Sequence, residues 1–367
     1  MNHDEPQPGF ERDPHYSPEY GLAGPIEATS GERTPIEIFA DELPRDALPP
    51  RRGLFRRIGV PLILFLATGF STFVTGGLMA RPVQIPGENG GPPHLVVDMA
   101  GFLNSGLLYG GAVMAILTAH EMGHFLQSRR YRVPASLPYF IPMPISPFGT
   151  MGAVIFQHAG VANRRALFDI AISGPLAGLV LALPLTVWGV VHSEIAQIRP
   201  GSSVYGDPLL IQWIVRAVHA PLPAGYGVHD APLVQAWGRL MYSAIPHGFD
   251  VQLTPLLFAG WVGIFITGLN LIPIGQLDGG HILYTLLKKK AHRVAFGFYA
   301  AAATAIILGG PRYYGWIIMM LLIGMTGVRH PPTANDSVPL GRFRTWLGWL
   351  TLSFIIIGFT PTPIIQE

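Results

Sequence analysis

From Ile58 to Ala80 the chain runs for 23 residues without a charged side chain, enough to cross about 30 Å of hydrocarbon as a helix. Inside a bilayer every backbone polar group must find its partner within the chain, so an open chain crosses as helices. The pattern recurs. Arg51, Arg52, Arg56 and Arg57 precede this run; a second, Met99 to Leu126, is followed by Arg129, Arg130 and Arg132; Arg164 and Arg165 precede a third, Leu167 to Val191. A fourth covers Leu253 to Ile274, with Lys288, Lys289, Lys290 and Arg293 beyond it, and three shorter runs follow at Val294–Gly309, Tyr313–Val328 and Trp346–Phe359. The expectation is an all-α polytopic membrane protein with about seven transmembrane helices. Basic clusters mark the cytoplasmic ends, so the N-terminus is expected in the cytoplasm and the membrane is read as a bacterial inner membrane.

Between the second and third runs, Pro134, Pro138, Pro142, Pro144 and Pro147 are followed by Gly149 and Gly152. No regular span survives that spacing. Irregular backbone at membrane depth is tolerated when buried in protein or lining a water-filled cavity, which points to a re-entrant loop or β-hairpin.

Composition narrows the function classes. Charged residues make up 13% of the chain, about half of the roughly 25% of soluble proteins. The absence of cysteine excludes disulfides, thiolate metal sites and a thiol nucleophile. A formal charge of +2 hides an asymmetry: residues 1–50 hold 11 of the 22 acidic side chains and 3 of the 24 basic ones. That segment reads as a disordered, uncleaved acidic tail in the cytoplasm, and residues 51–360 as the membrane-embedded domain. The basic residues beside apolar runs report topology, not nucleic-acid binding.

The second run contains His120-Glu121-Met122-Gly123-His124. An i, i+4 spacing stacks two imidazoles on one helical face, a grip for zinc, with the glutamate beside it as a base. Ionisable groups within an apolar span cost several kcal/mol unless partnered, so their presence points to function. A catalytic zinc needs a third protein ligand and an open position. After the fourth run, Asn270-Leu-Ile-Pro-Ile-Gly-Gln-Leu-Asp278-Gly-Gly-His281 offers Asp278, at the depth that the charge pattern gives His120 and His124. Taken alone, Asp278 reads better as a helix-terminal aspartate before a glycine turn; beside the His120–His124 pair the ligand reading is favoured.

These residues resemble the site-2 proteases, integral-membrane zinc metalloproteases that cut other membrane proteins within or beside their transmembrane segments. The resemblance covers about residues 95–290 and rests on His120–Phe125, the loop Phe148–Ile155, Ser173-Gly-Pro-Leu-Ala-Gly178, and Asn270 to Gly280 ending in Leu-Asp-Gly-Gly. Its wording is similar to the chloroplast and bacterial branch that includes the plant EGY proteins. It implies one zinc per chain held by His120, His124 and Asp278, Glu121 as general base, and Asn270 near the reacting carbonyl. It also implies that Gly149, Thr150, Met151 and Gly152 present an edge to an unwound substrate; a loop that only packs is the other reading. Gly174, Pro175 and Gly178 read as helix packing, and His281, next to the Leu-Asp-Gly-Gly turn, reads more readily as an interfacial histidine than as a partner supporting the metal ligands. No PDZ domain or CBS pair has room here. The expected activity is intramembrane cleavage of single-pass proteins in the lipid bilayer, with an upstream protease as a partner; a secondary transporter or a catalytically silent adaptor are the alternatives.

Overall fold

The computed structural model describes residues 55–80, 82–85, 94–157, 160–197, 203–222, 249–361 and 363–366. The acidic tail expected at residues 1–50 lies outside them. The described chain is mainly helical. Helix α1 (Val60–Gly77) is followed by strands β1 (Pro82–Ile85) and β2 (His94–Val97), then α2 (Met99–Arg130), β3 (Tyr139–Met143), β4 (Gly149–Val154) and α3 (Arg164–Val191). Next come β5 (Ile195–Gln197), β6 (Ser203–Tyr205), α4 (Leu209–His219), β7 (Phe249–Val251), α5 (Pro255–Asn270) and α6 (Asp278–Leu287). The chain continues through α7 (Ala291–Gly309), α8 (Gly315–Thr326), α9 (Arg342–Gly358) and β8 (Ile364–Gln366).

Side-chain caps set the helix starts. Asp98 accepts from the N–H groups of Ala100 and Gly101, Asn163 from Ala166, and Thr254 from Leu257, satisfying donors that have no partner inside the helix. Helix α2 packs between α1 and α3, and α5 lies against both α2 and α3. Their common core is aromatic: Tyr109 stacks on Phe258 with ring centroids 5.2 Å apart, and Trp261 on Phe265 at 5.0 Å. The strands form four two-stranded antiparallel pairs, β1–β2, β3–β4, β5–β7 and β6–β8. Between the second and third apolar helices, β3 and β4 make a hairpin from Tyr139↔Val154 to Met143↔Gly149, irregular between Phe140 and Pro142. It packs on α1.

Four helical stretches are long and apolar enough to cross a membrane: Arg57–Gly77, Met99–Arg130, Arg164–Val191 and Asp278–Gly309. The first three match the sequence expectation closely. The fourth differs. Helix α5, expected as a span of 253–274, has 16 residues, about 24 Å of rise, and is buried without a break from Leu257 to Phe265. The long stretch comes after it, where α6, a 3-10 turn at Lys288–Lys290 and α7 follow one another without a loop. The lysine run reads as a helix end in sequence, and α6 does end there: Lys288, at φ 53°, separates it from α7.

Candidate metal centre

Helix α2 buries His120, Glu121 and His124, each less than a tenth exposed. Helix α5 ends at Asn270, a turn of seven residues follows, and Asp278 opens α6. That turn folds tightly. A side chain on Gly279 would meet the Leu271 carbonyl, and one on Gly280 the carbonyls of Gly275 and Ile274, so the glycine pair brings the start of α6 back over the end of α5. Gly275 makes the reversal at φ 58°, a region that favours glycine.

The result is a triangle of donor atoms. His120 Nε2 lies 3.2 Å from Asp278 Oδ2 and 3.2 Å from His124 Nε2, and His124 Nε2 lies 3.3 Å from Asp278 Oδ2. Asn270 Nδ2 stands 3.2 Å from His120 Nε2. His124 Nδ1 is 2.8 Å from the Ile170 carbonyl. A carbonyl can only accept, so Nδ1 carries the proton and the Nε2 of the neutral ring carries a lone pair. Asp278, as a carboxylate, likewise offers lone pairs. A hydrogen bond can relieve one edge of such a triangle and leaves the others repulsive, whereas a cation at its centre relieves all three. Zinc bonds of about 2.0–2.2 Å in tetrahedral geometry imply donor separations of about 3.3 Å. The residues fit zinc on both counts, and among the described residues this is the one His/Asp/Glu cluster with the spacing to hold a metal.

Helix α3 supplies the floor. Gly174 faces the His124 ring, and a side chain on Gly178 would stand 3.3 Å from His120. The Ser-Gly-Pro-Leu-Ala-Gly segment is therefore helix packing, as its composition reads, and at the same time the space in which both imidazoles sit. Around the triangle lies a cavity of about 230 Å³, lined by the metal cluster, Glu121, Asn270, residues Ala153 to Ile155, and Gln157. The hairpin residues Gly149, Thr150, Met151 and Gly152 occupy the start of β4, just before those that line it. Thr150 is buried, donating to the Ile141 carbonyl at 3.1 Å and accepting from the Gly152 N–H at 3.0 Å, while Met151 is exposed. Gly149 and Gly152 have φ of 73° and 95°.

One stretch of wall escapes the sequence reading. His281 lines the cavity, and beside it stand His330, Pro331, Pro332 and Thr333, from the segment between α8 and α9. An isolated histidine 49 residues beyond His281 carries no local signal; only the fold joins the two.

Residues 110–309 match the model of peptidase family M50. The chain is 29% identical over 325 residues to a probable zinc metalloprotease EGY1, chloroplastic, of Oryza sativa subsp. japonica, covering 84% of this chain and 51% of that protein. It is 28% identical over 318 residues to the Arabidopsis thaliana protein of the same description, covering 82% and 53%. Against a probable zinc metalloprotease EGY2, chloroplastic, of Arabidopsis thaliana it is 27% identical over 332 residues, covering 88% and 53%. The chain thus spans about half the length of the curated relatives it matches. No solved structure matches it.

Proposed function

This chain belongs to peptidase family M50, and from that membership and the geometry of the cluster we propose that it is an intramembrane zinc endopeptidase cleaving transmembrane segments of single-pass membrane proteins. The observation that carries the reading is the donor triangle of His120, His124 and Asp278, with edges of 3.2–3.3 Å, beside buried Glu121 and among apolar helices.

Zinc held by these three residues supplies Lewis acidity toward a scissile carbonyl and acidifies water. Glu121 follows His120 directly in the sequence, and its carboxylate takes the proton of the attacking water and returns it to the leaving amine. Asn270 donates its amide N–H to the developing oxyanion, an effect worth roughly 3 kcal/mol in a dry site. The Ile170 carbonyl fixes the tautomer of His124 and so leaves the Nε2 lone pair beside His120 and Asp278, where it would hold the metal.

A transmembrane helix hides its peptide bonds in i→i−4 hydrogen bonds, so cleavage requires local unwinding, and the freed N–H and C=O groups need new partners. Among the described residues strand β4 pairs on one side only, with β3, and its end at Ala153 and Val154 lines the cavity. An unwound segment adding to that edge would satisfy its backbone groups next to the cluster. This supports a re-entrant role for the hairpin and favours substrates with helix-weakening residues. In the same reading α5, α8 and α9 cross with the four long helices, seven spans in all, around the membrane-embedded domain 51–360. The arginine and lysine clusters favour a cytoplasmic N-terminus and a cluster near the cytoplasmic side; they bear on sidedness and not on which membrane.

The test is zinc analysis of purified protein together with cleavage of co-expressed single-pass proteins, wild type against Glu121→Gln. The amide keeps the shape of the carboxylate but cannot take the proton, so the variant is expected to retain zinc and lose cleavage. Comparable cleavage by the variant would sink the mechanism.

A further inference from the structure

The cavity wall that carries His330 is held in place by bonds from three sides. The Gly275 N–H donates to the Val328 carbonyl at 3.1 Å, that of Ala334 to Ala162 at 3.0 Å, and that of Arg164 to Asn335 at 3.2 Å. Tyr284 of α6 donates to Asp336 at 2.8 Å, and its ring stacks on His330 with centroids 4.4 Å apart. His330 is thus a fixed part of the cavity.

Hydrogen-bond logic assigns its protons. His330 Nδ1 bonds the carbonyl of Pro331, which can only accept, so Nδ1 carries the hydrogen and Nε2 is the acceptor. Burial, reinforced by the neighbouring imidazole of His281, pushes the pKa of His330 down to about 3, so the ring is neutral at pH 7. His281 Nδ1 lies 2.5 Å from that Nε2 and must be the donor. The lone pair of His281 therefore sits on its Nε2, which has no hydrogen bond among the described residues, in a side chain that lines the cavity.

We propose that His281 is a substrate-contacting residue that accepts a backbone N–H of the unwound peptide at Nε2, and that His330 is the positioning residue that fixes this tautomer. The inference rests on the protease reading above and adds an acceptor for it. Pro331 and Pro332 beside it have no N–H to offer, so this wall presents acceptors to a peptide while the edge of β4 presents both donors and acceptors. An N–H released from a helix and left unpaired here would weaken binding, and His281 removes that penalty.

The experiment uses the full chain in detergent micelles and a synthetic transmembrane peptide that it cleaves, with analogues in which one amide N–H near the cleaved bond is replaced by an ester oxygen. His281→Ala is expected to lower kcat/KM on the all-amide peptide by about three- to tenfold, with zinc content and Tm at wild-type values. On one ester analogue that penalty should vanish, because the N–H it depends on is gone. His330→Ala should give the same pattern. His330→Gln, whose side-chain oxygen can accept from His281, should restore activity, and His330→Lys, which can only donate, should not. Equal penalties on the amide peptide and every analogue, or loss of zinc in His281→Ala, overturn this inference alone. Absence of Glu121-dependent cleavage in the wild type overturns the protease reading and this inference together.

Discussion

Gly174 lies face to face with His124: a methyl group built on its Cα would occupy the space of the imidazole. The contact joins α3 to α2 across fifty residues of chain and makes the absence of a side chain part of the metal centre. Gly174→Ala is therefore expected to displace His124 and to lower zinc affinity by 10–100-fold, roughly the effect of disturbing a ligand's support. Gly111→Ala, on the same helix as His124 but with nothing within 4 Å of the added carbon, is the control and should keep zinc. Metal analysis of the two variants after dialysis against a weak chelator decides. Equal retention would mean that the ring can move aside without cost.

Removal of single donors tests the triangle directly. His120→Ala, His124→Ala and Asp278→Ala should each sharply lower zinc occupancy, since a catalytic zinc is held by three protein ligands. Asp278 is the informative case, because it is the donor that the sequence alone also allows as a helix-terminal residue. Full occupancy in Asp278→Ala takes it out of the ligand set.

Arg164 offers a test of how the cavity wall is fixed. Its guanidinium donates to the carbonyl of Thr285 at 2.6 Å and to that of Leu286 at 3.4 Å, carbonyls of the last turn of α6 that lack helical partners. The same side chain reaches the Val338 carbonyl at 3.5 Å, so one residue ties the start of α3 to the end of α6 and to the segment bearing His330. Arg164→Ala should lower stability by about 1–3 kcal/mol. Arg164→Lys should recover only part of it, because an ammonium cannot span the separate acceptors as a planar fork does. Melting curves of the three proteins check this, and a lysine variant equal to wild type would argue for simple charge.

The parts of this molecule that were legible in sequence are those in which chemistry depends on local spacing. His120 and His124 are one helical turn apart, and an ionisable pair in an apolar run can be read without a fold. Helices α1, α2 and α3 were legible for the same reason, with apolar length set between arginines. What could not be read depends on contacts between distant segments. Gly174 reads as packing because its neighbour is fifty residues away, and His330 carries no signal until the segment after α8 folds back on α6. The lysine run was legible as a boundary, since α6 ends at Lys288 and α7 runs from Ala291 to Gly309, while the short α5 escapes the length expected of a span by being sheathed in protein.

The hairpin glycines separate two effects that sequence alone merges. At Gly149, φ is 73° and an added carbon would press on Thr75 and Thr72 of α1 at 2.6 and 2.9 Å; at Gly152, φ is 95° with nothing within 4 Å. A substitution at Gly149 therefore meets both strain and a clash, and Gly149→Ala should loosen the hairpin from α1 and lower Tm. At Gly152 the cost is backbone strain alone, of about 1–2 kcal/mol, felt where β4 runs on toward the cavity. If substrate pairs with β4, Gly152→Val should reduce cleavage with zinc content near wild type, since the proposed ligands lie on α2 and α6. A hairpin that only seals the cavity would instead lose stability and zinc together. Activity, zinc content and melting measured on both variants distinguish the two, and undiminished cleavage by Gly152→Val rejects a role for the β4 edge in holding substrate.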